Sequence, residues 1–262
     1  MKTVSQEYVF QKTSDESERD RLRAIESIFD PASRRRILSA GLTPGNSCLE
    51  VGAGAGSVMR WLAEQVGPSG RVTAVDINTR FLDPPPANVT VVEGDVRSLV
   101  FEPSSFDLVH ARYVLVHIPE YKAVLGSLWR ALKPGGALVI EEPDFTAYRG
   151  ISGAEVQSFN NVHHAILHMY NAKGVDPALG VKLPMLYQGL DARDLVVEND
   201  SPLVCGGAGI ATMMNMSAVQ LKEKYLATGK VTAADLSAYG RFTHSPDSWA
   251  IYYTTIGAVG RK

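Results

Sequence analysis

The stretch SCLEVGAGAGSVM, from Ser47 to Met59, sets a carboxylate, Glu50, two residues before three glycines at alternate positions, Gly52, Gly54 and Gly56. Glycines so spaced reach backbone angles closed to residues with a Cβ, and they let a ligand lie against bare backbone. A buried strand that runs through such a turn into a helix makes a nucleotide pocket. The spacing differs from G-x-G-x-x-G, since the third glycine comes one residue early and Ser57 fills the dinucleotide slot. A carboxylate at Glu50 sits poorly beside a pyrophosphate, and it suits a ligand that carries an ammonium group. Asp76, followed by Ile77, ends the next apolar strand, RVTAVDIN, 26 positions after Glu50. An acidic residue there points at the crevice of a doubly wound sheet and can accept from both hydroxyls of a ribose.

Other residues of chemical interest lie further along. His110 and Tyr113 follow the apolar run Phe106 to Val109, and His110 is the first candidate for a base because a free imidazole titrates near ~6.5. His163 or His164 is a second candidate for the base, Tyr113 shares the His110 edge, and His117 reads as a packing residue or a ligand contact. His164 and His168 have the i, i+4 spacing of metal ligands, but no third ligand accompanies them. Glu141, Glu142 and Asp144 form an acidic cluster that reads as a hydrogen-bonding edge, so no metal is expected.

The elements that must position these residues follow from periodicity. Leu22, Ile25, Ile28 and Phe29 repeat at helical spacing after Ser14-Asp15-Glu16, Pro31 opens a second helix that ends at Gly41, and Arg34-Arg35-Arg36 reads as its solvated face. Tyr8 and Phe10 read as a lid or as a staple for the first helix. After the glycine turn come a helix from Val58 to Val66, the Asp76 strand, the stiff turn Asp83-Pro84-Pro85-Pro86, and a third strand from Val89 to Val92. The fourth strand is Phe106 to Val109. A helix from Glu120 to Leu132 then turns at Lys133-Pro134-Gly135-Gly136 into a fifth strand, ALVIEE. Beyond it the spacing predicts a helix over Glu155 to Tyr170, a strand over Asp194 to Glu198, helices over Ala208 to Leu226 and Thr232 to Thr243, and a last strand over Trp249 to Val259.

Together, the glycine turn E-V-G-A-G-A-G, Asp76, Gly94-Asp95 and the segment L-K-P-G-G-A-L-V-I-E-E, all within residues 47 to 142, resemble the class I S-adenosylmethionine-dependent methyltransferases of the small-molecule type. The resemblance implies an α/β fold: a Rossmann-like seven-stranded doubly wound sheet with the last strand antiparallel, plus a helical cap. It implies S-adenosyl-L-methionine as cofactor. Glu50 would lie near the donor's ammonium, Gly52, Gly54 and Gly56 along its amino-acid end, Asp76 and Ile77 at the ribose, Asp95 and the Val96 amide at the adenine, and His110 beside the sulfonium. The segments implied are an N-terminal helical lid (1–46), the donor-binding core (47–142), a helical cap insertion (143–190), and a C-terminal part of the core with a helical insertion (191–262).

Composition limits the acceptor. With 45% hydrophobic residues and a net charge of -2, the 262-residue chain has no general attraction for polyanions, so a small-molecule substrate is expected rather than nucleic acid. The polar N-terminus and the lack of a long apolar run lead to the expectation of a cytoplasmic protein with no membrane partner. The two cysteines, Cys48 and Cys205, suggest no disulfide framework. An aromatic or indole-like metabolite of secondary metabolism is the leading acceptor. Quinone-pathway C-methylation and an NAD-dependent oxidoreductase are the alternatives, and a homodimer is left open.

Overall fold

The computed structural model describes residues 15–82 and 84–262. Tyr8 and Phe10, and Asp83 of the proline turn, lie outside the described residues. In chain order the helices and strands are α1 (Asp15–Ser39), β1 (Ser47–Val51), α2 (Ser57–Val66), β2 (Arg71–Asp76), β3 (Val89–Glu93), β4 (Phe106–Arg112), α3 (Tyr121–Ala131) and β5 (Leu132–Asp144). They continue with β6 (Arg149–Ser152), α4 (Val156–Ala172), α5 (Leu179–Gln188), β7 (Arg193–Asp200), β8 (Val204–Cys205) and α6 (Gly209–Gln220). The chain ends with α7 (Lys222–Leu226), α8 (Ala233–His244), β9 (Trp249–Ile251) and β10 (Thr254–Arg261). They form two compact units, one from residues 26–143, 179–200 and 255–262, the other from residues 15–25, 144–178 and 201–254.

The larger unit holds a seven-stranded sheet in the order β3-β2-β1-β4-β5-β10-β7, and this is the doubly wound, Rossmann-like sheet that the motifs imply. β1 pairs in parallel with β2 and β4, and the last strand, β10, runs antiparallel to β7. Cys48, Leu108 and Val139 share one sheet face with Ile37 of α1 and with Met59 and Leu62 of α2, all fully buried or nearly so. Side chains alternate across a strand, so Glu50, His110, Arg112 and Glu141 continue that same face beyond the apolar cluster. The apolar rows therefore fix where the polar ones emerge.

The smaller unit is built from α4, α6, α7 and α8 with a three-stranded sheet, β6-β9-β8. Phe159 and Phe242 are fully buried in it, their rings 4.9 Å apart. α8 opens with a capping box between Thr232 and Asp235.

Three readings of the sequence need correction. Pro31 does not open a second helix; α1 runs on through it to Ser39. A proline inside a helix costs ~3 kcal/mol, and the carboxylate and guanidinium partners that α1 finds beyond Pro31, set out below, offset that cost. The last strand is not one element, because the buried pair Tyr252-Tyr253 separates β9 in the small sheet from β10 in the large one. The helix expected from Ala208 to Leu226 breaks at Leu221, between α6 and α7. β6 and α5 were not anticipated; α5 is short and carries Pro184, which hides its helical pattern.

Gly257 of β10 leaves room for the buried Arg36 side chain, since a Cβ there would lie 2.6 Å from the Arg36 Cζ. Gly257→Ala is therefore expected to lower stability by about 1–3 kcal/mol, as overpacking does, read from the midpoint of urea unfolding; an unchanged midpoint would mean that Arg36 is free to move aside.

Candidate functional site

The glycine turn is held from beneath. Gly52 takes φ 72, and a Cβ on it would collide with Val114 Cγ2, so glycine is required there on both counts. Gly54 (φ 59) donates its N–H to Asp76 Oδ2 at 2.9 Å, and Asp76 Oδ1 accepts from Asn78 N–H at 3.0 Å. Gly56 (φ 90) stands at the N-cap of α2 and has no side chain to offer it. The cap comes from α1 instead. Glu26 Oε1 accepts the Ser57 N–H and Asp30 Oδ1 accepts the Ser57 hydroxyl, both at 3.0 Å. The end of α2 at which a dinucleotide fold receives its phosphates is thus filled by the protein's own carboxylates.

Behind the turn runs a chain of buried charge. Arg36 Nη1 donates to Glu141 Oε2 at 2.6 Å, Glu141 Oε1 meets His110 Nε2 at 3.0 Å, and His110 Nδ1 meets Glu50 Oε2 at 2.7 Å. Each of the four residues is 3% exposed or less. Arg36 also reaches Asp200, and Arg112 joins Asp30 at 3.1 Å and the Ser33 hydroxyl at 2.8 Å.

Burial alone would lower the His110 imidazolium, but Glu50 and Glu141 outweigh it and lift it to about 9. Burial would raise Glu141; hydrogen bonding to His110 and the charges of His110, Arg112 and Arg36 hold it down at about 2. Glu50 is raised, by burial first, with His110 opposing. Glu142 faces the opposite side of the sheet, accepts from the N–H groups of Val114, Leu115 and Val116 at 2.7–3.1 Å, and is raised by burial to about 8.

The residues expected from the sequence fall as follows. Glu50, Gly52, Gly54, Gly56 and Asp76 lie together around the turn, and Ile77 follows them, half exposed. Asp95 and the buried Val96 follow β3, but Arg97 grips the Asp95 carboxylate at 2.8 and 3.0 Å through its Nε, and that hydrogen bonding lowers the Asp95 pKa. His110 has a carboxylate on each ring nitrogen, so neither is left open to take a proton from a substrate. Tyr113 takes φ 57, a strained backbone for a bulky residue, and its hydroxyl bonds to Thr255. His163 belongs to the smaller unit, where its ring stacks on Tyr148 at 4.6 Å, its Nδ1 meets the Phe159 carbonyl, and burial lowers it to about 4, which makes it a weak base.

Sequence reading missed Arg36, which is buried rather than solvated, while its neighbours Arg34 and Arg35 do reach solvent. The signal was present in the spacing of Phe29, Ser33, Arg36, Ile37 and Ala40, which puts Arg36 on the inward face of α1. Glu26 and Asp30 carried no motif and were missed as well. Among the described residues no group of three or more His, Cys, Asp or Glu could hold a metal ion, and no helix is long and apolar enough to cross a membrane.

This sheet order, with a glycine turn between β1 and α2, is a fold shared with solved methyltransferase structures. Residues 49–140 match the family described as Methyltransferase domain. The demethylmenaquinone methyltransferase of Staphylococcus aureus is 35% identical over 116 residues, 42% of this chain and 48% of that protein, so the chain spans about half the length of the curated relatives it matches. A Haemonchus contortus phosphoethanolamine N-methyltransferase 2, solved with phosphomonomethylethanolamine and S-adenosylhomocysteine, superposes with a TM-score of 0.62 at 21% identity, covering 100% of this chain and 61% of its own. The [4+2]-cyclase SpnF superposes with a TM-score of 0.51 at 19% identity, over 88% of this chain and 80% of its own. The shared fold therefore does not by itself fix the reaction.

The charge chain gives stability a definite pH dependence. His110 and Glu142 are both raised in the folded protein, so the fold holds protons that the unfolded chain releases and stability falls as pH rises. The Glu142 share is lost as pH rises from about 4.5 to about 8, and the His110 share from about 6.5 to about 9. Glu141 is lowered, so its share is lost on the acid side as pH falls from about 4.5 towards 2. Urea midpoints are expected to fall between pH 6.5 and 9, and Glu142→Gln, which keeps an acceptor for the three N–H groups, should flatten the fall below pH 8. A flat profile in the native protein would contradict the charge states assigned here.

Proposed function

We propose that the protein transfers a methyl group from S-adenosyl-L-methionine to a small-molecule acceptor. The observation that carries this reading is electrostatic: carboxylates fill the phosphate end of α2, and a third, Glu50, closes β1. A phosphate placed there would have to displace the carboxylates that already hold the Ser57 N–H and hydroxyl. A donor with an ammonium group and a sulfonium would meet attraction. The same arrangement disfavours the NAD-dependent oxidoreductase alternative.

In this reading Glu50 holds the donor's ammonium, Gly52, Gly54 and Gly56 border its amino-acid end, and Asp76 with Ile77 takes the ribose. Asp95 and Val96 take the adenine, with Arg97 turning away from Asp95 or sharing it. When bound, the donor supplies a methyl group already activated by a positive sulfur. The protein's task is to align the acceptor and exclude water. We assign His110 to positioning Glu50 rather than to proton transfer, because both its nitrogens are committed. Tyr113, held in a strained backbone at the end of β4, is the residue of that edge assigned to the acceptor side. His163 is not assigned the base.

The acceptor class we propose is an aromatic small molecule. The relative named for demethylmenaquinone supports the quinone branch over the indole-like one. Incubation with methyl-labelled donor and a panel of naphthoquinols and indoles, followed by mass spectrometry of the labelled product, decides between them. Donor binding without label transfer to any small molecule would overturn the enzymatic reading.

Asp76→Ala is expected to weaken S-adenosylhomocysteine binding by ~1–3 kcal/mol, because the ribose hydroxyls lose a charged partner. Calorimetry that returned an unchanged affinity would remove Asp76 from the ribose, and thermal unfolding of the free variant reports separately any slackening of the Gly54 turn.

A further inference from the structure

The smaller unit carries a cleft of about 440 Å³ between β6, the turn before it and one face of α4, a volume in the range of small-ligand sites. Its lining is polar and of one character. Gln157, Asn160 and His164 are three, then four residues apart, so they project from successive turns of the same face of α4. Arg149 and Tyr148 come from the opposing strand and turn, and Thr146 closes the end.

No carboxylate lines the cleft, and the Arg149 guanidinium has no ion-pair partner among the described residues. The nearby carboxylates have partners: Asp144 accepts from the N–H of Thr146, itself a lining residue, at 2.8 Å, Glu155 from Arg241 at 2.9 Å, and Asp235 from Asn161 at 2.9 Å. The N-cap residue of α4, Glu155, makes no side-chain cap hydrogen bond. The cleft can approach α4 because Gly150 lacks a side chain; a Cβ there would stand 2.6 Å from Val156 Cγ2. Tyr148 supplies a ring as wall, backed by the His163 ring at 4.6 Å.

We propose that this cleft binds a small organic anion, a carboxylate or phosphate monoester carried on a ring or short chain. The forked guanidinium of Arg149 takes the oxyanion in a two-point hydrogen bond, the Asn160 and Gln157 amides and the His164 ring supply further hydrogen bonds, and Tyr148 flanks the carbon skeleton. This goes beyond the donor site, which lies wholly in the larger unit.

Titrations of the full chain with benzoate and with phenyl phosphate, followed by calorimetry and by the shift of the His164 ring signals in NMR, test it and distinguish the two anions. Saturable binding of at least one probe is expected, weakened at least tenfold by Arg149→Met and by less in Arg149→Lys, which keeps the charge and loses the fork. Asn160→Ala should weaken the same probe. Arg149 is exposed, so its variants should keep the native unfolding temperature and the native affinity for S-adenosylhomocysteine. The donor titration therefore reports on the methyltransferase reading and the anion titration on the cleft alone. Absence of binding of both probes up to about 10 mM, a range that still detects affinities near −3 kcal/mol, or equal binding by Arg149→Met, would overturn the assignment.

Discussion

The larger unit depends on an alternating line of buried charge, Arg36, Glu141, His110 and Glu50, that crosses from α1 over β5 and β4 to β1. Removing each of these ions from water costs several kcal/mol, and close pairing with opposite charge offsets that cost. The line satisfies this because its signs alternate and its contacts run at 2.6–3.0 Å. The strand registers make it so: Glu50 stands opposite His110, and Glu141 opposite Arg112 one pleat further along the same face. A one-residue slip of β1 or β4 would send its charge to the other face. The interaction thus selects the register as much as it stabilises it.

What this does for the site is to fix the Glu50 carboxylate against the His110 imidazolium. His110 orients one oxygen from behind, and the turn that follows presents Gly52 and Gly54 with their N–H groups tied down to Val75 and Asp76. The beginning of α2, which would otherwise attract any anion, is already supplied by Glu26 and Asp30 of α1. Two helical carboxylates and one strand carboxylate thus stand around the turn where a pyrophosphate-binding sheet leaves N–H groups open.

Much of the core was legible in the sequence, because the glycine spacing, the acidic strand ends and the Lys133-Pro134-Gly135-Gly136 turn are local signals, and local backbone requirements are written in adjacent residues. The site's support was not. Arg36 reads as one of three basic neighbours, and its burial depends on Glu141, 105 residues away. The pairing of His110 with two carboxylates is likewise a product of strand order, so its imidazole looked like a free base. Proline at 31 gave a strong local stop signal that distant ion pairs overrode. In the smaller unit the periodicities of α4 and α8 were visible, whereas β6 and β8 are too short to declare themselves without their partners.

The central claim, that Glu50 and its buried supports make the pocket a receptor for an ammonium-bearing donor, is tested most directly on the unaltered protein by calorimetry. S-adenosylhomocysteine and its analogue lacking only the α-amino group would be titrated side by side at pH 6.5. The native product is expected to bind at least tenfold more tightly, about 1.4 kcal/mol or more. Equal affinity for the two would contradict it.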